Sequence, residues 1–228
     1  MNLRLTSRLA AVAGAIPPGV RLADVGTDHA YLPAWLVLEG KISCAVATDL
    51  RPGPLETAAQ TVAQYGVADR VALRLGNGLN PVQPDEVDAV AIAGMGGETI
   101  LEILAAAPWA AEKFCVVQPM TSVADLRRRV GECGMHIAGE RIAKEGETLY
   151  IILTLAGGTA APPTPEEAWV GKPEHHRGDP LWPDYLAQEL RRVRRALAGL
   201  RQSSKVGDEL RRLELERTER GLSALTES

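Results

Sequence analysis

The stretch Leu22-Ala-Asp-Val-Gly-Thr-Asp-His-Ala-Tyr-Leu-Pro33, LADVGTDHAYLP, decides the fold. An apolar run ends in Asp24-Val25-Gly26, as the first strand of a nucleotide-binding βαβ unit does. A dinucleotide loop carries glycine at the next two places, so that its backbone approaches a pyrophosphate on a helix N-terminus. This chain has Asp28 and Ala30 there. A carboxylate beside two phosphates is unfavourable, which argues against NAD or FAD. A cofactor with positive charge and no phosphate suits the loop, and S-adenosylmethionine has that character: an ammonium, a sulfonium and a carboxylate, with an adenosine for the next strands to hold. Gly26 still supplies the turn, and Ala30 is small enough for close packing of helix on strand.

Outward from this loop, apolar runs alternate with helical patterns. The runs are Val20–Val25, Cys44–Thr48, Val71–Leu75, Ala89–Ala93 and Phe114–Val117; segments such as Pro54–Tyr65 and Glu98–Ala107 lie between them. Short continuous strands separated by helices predict an α/β, Rossmann-like fold with a mostly parallel sheet covered on both faces. Upstream, Leu5, Leu9 and Val12 predict an amphipathic helix; Arg8 interrupts the apolar start, against a signal peptide. Downstream, Met135–Arg141 and Thr148–Leu155 flank Lys144-Glu-Gly-Glu147 and predict an antiparallel hairpin closing the sheet. AGGTAAPPTPEE, residues 156–167, reads as a linker or ordered crossing, not an element. Beyond it, Leu186, Leu190, Val193, Leu197 and Leu200 recur at steps of four and three. Val206, Leu210 and Leu213 repeat the spacing after a break at Gln202–Ser204, predicting two antiparallel helices with a narrow apolar seam. The expected organisation is a cofactor-binding domain at 1–160 and an α-helical hairpin at 165–228.

The strand ends carry the candidate chemistry. Asp49 closes the second strand, where an acid accepts ribose hydroxyls. Asn77-Gly78 follows the third, and an Asn amide offers both donor and acceptor to an adenine edge. The fourth delivers Ala93-Gly-Met-Gly-Gly97, open backbone at the sheet's carboxyl edge, where such sheets bind ligands. Each has a plainer alternative: Asp24 as a carboxylate accepting loop N–H groups, His29 as a helix-start residue, the glycines as turn formers.

The 228 residues are 46% hydrophobic and 24% charged, a globular composition, with no apolar run long enough to span a membrane. The net charge of −4 weighs against wholesale coating of nucleic acid but leaves room for a local basic face. Cys44, Cys115 and Cys133 show no ligand spacing and read as buried free thiols in a reducing cytoplasm. His175-His176 reads as a surface pair, and no metal is expected.

RLADVGTDHAYLP, the GNGL after strand three and VAIAGMGGETILEIL together resemble the bacterial tRNA adenine 22 N1-methyltransferase family. The resemblance runs from near residue 1 to the C-terminal helices, in domain order and length. It implies a class I methyltransferase fold with a coiled-coil-like C-terminal hairpin, and methyl transfer from S-adenosylmethionine to N1 of an adenine in the tRNA D-arm. By motif, Asp24, Gly26, Asp28 and His29 border the methionine part of the cofactor. Asp49 holds the ribose, Asn77 and Gly78 the adenine, and Ala93, Gly94 and Met95 form the reaction edge. Many methyltransferases carry Asp where Asn77 stands, and AWVGKPEHHRGDPLW before the hairpin aligns less readily with that pattern.

N1 of adenine has a nucleophilic lone pair, so positioning suffices and no Asp/Asn-Pro-Pro-aromatic clamp is demanded. The methylated ring gains positive charge, which Asp28 stabilises or relieves through the N6 proton; His29 and Glu98 are the other acceptors. The target base must leave its stack. Tyr31, Trp35 and Trp109 are the aromatics expected near the site, the first two reading better as core. Arg191, Arg192, Arg194 and Arg195, with Arg201, Lys205, Arg211 and Arg212 near the tip, make the hairpin the expected tRNA handle. The expected partner is tRNA, with no membrane and a monomer favoured. Two alternatives stay open: a methyltransferase acting on another RNA or a small molecule, and a non-catalytic RNA-binding scaffold with a vestigial pocket.

Overall fold

A computed structural model of the chain describes residues 3–200 and 208–226. Seven strands form one sheet in the order β3-β2-β1-β4-β5-β7-β6. They are β1 (Leu22–Val25), β2 (Ala45–Asp49), β3 (Val71–Leu75), β4 (Ala89–Gly96), β5 (Phe114–Thr121), β6 (Met135–Glu145) and β7 (Thr148–Gly157). The first five are parallel, while β7 runs antiparallel between β5 and β6. Every residue of β1 and β2 is buried, as continuous apolar runs covered on both faces require.

The helices α1 (Ser7–Ala15), α2 (Tyr31–Leu38), α3 (Pro52–Gln64), α4 (Gly97–Ala106) and α5 (Val123–Arg129) connect or cover the strands. The Thr6 hydroxyl caps α1 by accepting the Leu9 N–H. At its other end, Lys41 and Arg141 donate to the Ala13 and Gly14 carbonyls, cations placed on the negative end of the helix dipole. Chain order reverses between β1 and β4, and such a switch point leaves a crevice at the strands' carboxyl ends.

Beyond the sheet come α6 (Pro165–Val170), α7 (Trp182–Leu200) and α8 (Asp208–Thr226). Here the structure corrects the expectation for residues 156–167. Ala156 and Gly157 complete β7, while Pro165–Glu167 begin α6. The signal lay in Thr164 and Glu167, which form a reciprocal capping box with Pro165 at the first helical position. The α7 seam is as expected, with Leu186, Leu190, Val193 and Leu197 buried. That of α8 is not. Leu210 and Leu213 are exposed, and the buried residues are Leu215, Thr218 and Leu222. Packing of α8 on α6 as well as α7 selects that face, and Gly221 admits the Glu166 side chain there. Val206 and the break at Gln202–Ser204 lie outside the described residues.

One buried guanidinium joins these helices to the sheet. Arg127 of α5 donates to both carboxylate oxygens of Glu140 in β6, at 3.1 and 2.6 Å. It also donates to the Ala168 and Trp169 carbonyls of α6 and to the Tyr185 hydroxyl of α7. Burial alone would raise the Glu140 carboxyl, but Arg127, aided by His175 and His176, holds it well below the usual carboxylate range. The expectation of a surface His175-His176 pair is therefore corrected. His176 is buried, stacked on Trp182 at 4.3 Å and 3.5 Å from Glu140. The cysteines also divide: Cys115 is buried, its thiol pushed up to about 12, whereas Cys44 and Cys133 are only partly covered.

Candidate cofactor and substrate site

A cavity of about 400 Å³ opens at the carboxyl edge over β1, β2 and β4, within the size range of small-molecule sites. Gly26, Asp28, Asp49, Asn77, Gly78, Ala93, Gly94 and Met95 all line it. A parallel sheet collects the loops after its strands at one edge, which is how residues far apart in sequence share one wall. Gly26 has φ +70°, and Met95 Cε occupies the place a Cβ would take. Gly78 is also left-handed, at φ +57°, and its carbonyl accepts the Thr48 hydroxyl at 2.9 Å. Glycine is the residue that makes both turns without strain.

Asp49 ties the first two loops together. Its Oδ1 accepts the Arg51 N–H at 3.0 Å and its Oδ2 faces the Asp28 N–H at 3.4 Å. A carboxylate has about four acceptor sites, so capacity remains for two ribose hydroxyls. Leu50 and Arg51 also line the cavity; Leu50 is largely exposed, an apolar surface for a base to cover. The wall thus suits a nucleoside with a cationic tail: an acid at the sugar position, an amide at the base position, and the Asp28 carboxylate beside Gly26. It holds no cradle of successive glycine amides for a pyrophosphate.

Two expected cofactor residues do not line the cavity. Asp24 lies beneath the loop, 4% exposed, and accepts the Thr27 hydroxyl at 2.6 Å. Burial raises its carboxyl to about 6, with the Thr27 hydrogen bond opposing the rise. It supports the loop from below. His29 stands outside, its Nε2 3.3 Å from Asp28 Oδ2 and its ring stacked on Tyr31 with centroids 5.2 Å apart. Asp28 and Ala30, with φ of 51° and 54°, bracket His29 in the left-handed region, at about 1–2 kcal/mol each for a residue with a Cβ.

The aromatic expectations change with the fold. Tyr31 is 40% exposed beside the site, not core, while Trp35 is partly buried against the core. Trp109 lies in the short helix just before β5, hence at the opposite, amino edge of the sheet.

Sequence reasoning missed Arg8 and Gln118. Gln118, fully buried in β5, accepts both the Gly94 N–H at 3.2 Å and the Arg8 guanidinium at 2.6 Å. A polar residue ending the apolar run Phe114–Val117 was the available signal for Gln118. Nothing local marks Arg8.

The hairpin arginines differ among themselves. Arg192 pairs with Glu189 at 2.8 Å, and Arg194 with Glu219 at 2.8 Å. Arg191 and Arg195 are exposed, with no carboxylate partner among the described residues. Arg192 and Arg211 share a second cavity, of about 520 Å³, with Met120, Ser122 and Arg128 between the end of β5 and the hairpin. Arg212 faces Glu209 and Glu216 at 3.8 Å; Arg201 and Lys205 lie outside the described residues. Among the described residues, no group of three His, Cys, Asp or Glu is placed to hold a metal ion, and no helix is long and apolar enough to cross a membrane.

Comparison with known proteins agrees with this geometry. Residues 5–153 match the family model described as a methyltransferase domain. The tRNA (adenine(22)-N(1))-methyltransferase of Bacillus subtilis (strain 168) is 35% identical over 159 residues, covering 69% of this chain and 67% of the relative. The crystal structure of the B. subtilis M1A22 tRNA methyltransferase TrmK superposes with a TM-score of 0.86 at 27% identity, covering 99% of this chain and 100% of that one. A Streptococcus pneumoniae protein in complex with S-adenosyl-L-methionine superposes at 0.84 with 28% identity, over 98% of this chain and all of that one. The strand order, the glycine-lined cavity at the switch point and these likenesses converge: the chain belongs to the tRNA (adenine(22)-N(1))-methyltransferase family.

Proposed function

We propose that the protein transfers a methyl group from S-adenosylmethionine to N1 of adenine 22 in the D-arm of tRNA. The observation that carries this reading is the single cavity where Asp49 and the Gly26 turn meet the open backbone of Ala93–Met95. When bound, the cofactor supplies the electrophilic methyl at its sulfonium.

The chain's own residues do the rest. Asp49 holds the ribose hydroxyls, and the Asn77 amide with Gly78 meets the adenine edge. Gly26 and Asp28 border the methionine part, and Asp24 supports their loop from beneath. Ala93, Gly94 and Met95 form the wall against which the target base lies, so that N1 approaches the methyl in line. Asp28, exposed and beside His29, faces the ring as it becomes cationic; the pair stabilises that charge or accepts the N6 proton. Residues 165–228 contact the tRNA through Arg191 and Arg195, with Arg192 and Arg194 available once released from their acids. The enzyme is read as cytoplasmic, acting as a monomer.

The test is direct. The purified protein is incubated with S-adenosylmethionine and a tRNA transcript carrying A22 or G22, and nucleosides are quantified by mass spectrometry. The expected result is 1-methyladenosine in the first transcript and none in the second. Equal methylation of both would assign another target, and none in either would leave a binding protein.

A further inference from the structure

Arg8 lies in the first turn of α1, yet its guanidinium reaches the reaction edge. Nη1 donates to Gln118 Oε1 at 2.6 Å, and Cζ stands 5.8 Å from the Tyr150 ring centroid. Gln118 cannot turn over, because its Nε2 donates to the Pro119 carbonyl at 2.9 Å. Its oxygen therefore presents Arg8 beside Gly94, whose N–H it also accepts. Arg74, Arg128, Arg129, Arg192 and Arg194 all have carboxylate partners. No carboxylate among the described residues pairs with the Arg8 guanidinium. Glu145, close by, takes the Thr6 hydroxyl and the Arg8 backbone N–H instead.

A guanidinium carries five donors, and here one is used. Glu145 acts on this charge only through space, without bonding the guanidinium, so the remaining donors stay open toward the rim, where an anion completes the site. We propose that Arg8 is a substrate-contacting residue that grips a phosphodiester flanking the target adenosine. The inference rests on the tRNA reading above. A base turned out of its stack rotates about its own backbone, so its phosphates stay at the rim while the base enters over Gly94. A planar, weakly hydrated fork held by an aromatic face and a fixed amide is suited to bidentate phosphate.

The experiment compares Arg8→Ala and Arg8→Lys with the intact enzyme. Calorimetry gives cofactor affinity, kinetics give KM and kcat for tRNA, and a salt series gives the log–log slope of tRNA binding. Arg8→Ala should bind S-adenosylmethionine within about twofold of the intact enzyme and raise the KM for tRNA about tenfold. It should flatten the salt slope by roughly 0.7–0.9, one phosphate's share. Arg8→Lys keeps the charge but not the fork, so it should keep the slope and recover only part of the KM. An unchanged slope in Arg8→Ala would overturn the proposal. So would a loss of cofactor affinity as large as the loss for tRNA, which would make Arg8 a support for Gly94. Should the intact enzyme bind but not methylate tRNA, the functional reading falls while the slope still decides whether Arg8 meets a phosphate.

Discussion

Gly26 and Met95 meet across the switch point: Met95 Cε lies where a Cβ on Gly26 would stand. Gly26→Ala therefore suffers twice, from its φ of +70° and from the thioether. The backbone strain alone costs about 1–2 kcal/mol. Cofactor affinity should fall at least tenfold. Adding Met95→Ala should restore the part of the stability lost to overlap and leave the strain. Thermal melts and calorimetry of the two single variants and the double variant check this; strictly additive losses would show that the two residues do not interact.

Asp24 gives a pH signature. Its carboxyl is raised by burial from an ordinary 3.8 to about 6. Between those values the folded state holds a proton that the unfolded chain has released. The stability from Asp24 is thus fully present below about pH 3.8 and is lost as pH rises through about 6, up to about 3 kcal/mol in all. Asp24→Asn keeps an acceptor for the Thr27 hydroxyl and removes this dependence. The variant should melt above the parent at neutral pH, with the gap closing on acidification. A gap constant across the titration would refute the assignment.

Gln118→Leu leaves the Gly94 N–H and the Arg8 guanidinium without their shared acceptor. The buried loss should cost about 1–3 kcal/mol of stability. Turnover should fall more than cofactor affinity, because the Ala93–Met95 wall is loosened while Asp49 is untouched. Gln118→Glu keeps an acceptor but loses the donor to the Pro119 carbonyl and pairs Arg8 with a carboxylate, so it should recover stability more than kcat. Equal loss of stability in both variants would remove the acceptor role.

The buried Arg127–Glu140 pair is expected to behave asymmetrically. Arg127→Met strands a carboxylate and should cost about 3–5 kcal/mol in denaturant unfolding, whereas Arg127→Met with Glu140→Leu should recover much of that. A double variant no better than the single one would mean that the guanidinium's bonds to Ala168, Trp169 and Tyr185 carry most of the stabilisation.

For the hairpin, pairing predicts function. Neutralising Arg191 and Arg195 together should flatten the salt dependence of tRNA binding more than neutralising Arg192 and Arg194, whose charges already meet Glu189 and Glu219. Slopes that change equally would show that tRNA displaces those acids.

The parallel strands were legible because each is a continuous apolar run, and their carboxyl ends were legible because Gly26, Asp49 and Asn77 stand at or just past them. What escaped depends on long-range contact. Arg8 and Gln118 are 110 positions apart, and neither has a local pattern that names the other. The burial of His176 is created by Trp182 and Glu140, one from the helical region and one from β6. Leu210 and Leu213 kept a plausible spacing, but packing against α6 decided for Leu215 and Leu222 instead. Pro165 was read as a breaker where, behind Thr164, it starts a helix.

The sheet order also sets a timetable. Leu22 pairs with Ala45 on one side and Ala89 on the other, and β5 finds its outer neighbour only in β7. On a ribosome adding about 5–20 residues per second, β1 waits several seconds for β4 with one edge unpaired. During that interval the nascent chain offers a bare apolar strand edge, and the cavity floor cannot exist until β4 arrives. Slowing synthesis between residues 45 and 89 is therefore expected to lower the yield of correctly folded chains more than slowing it at the hairpin.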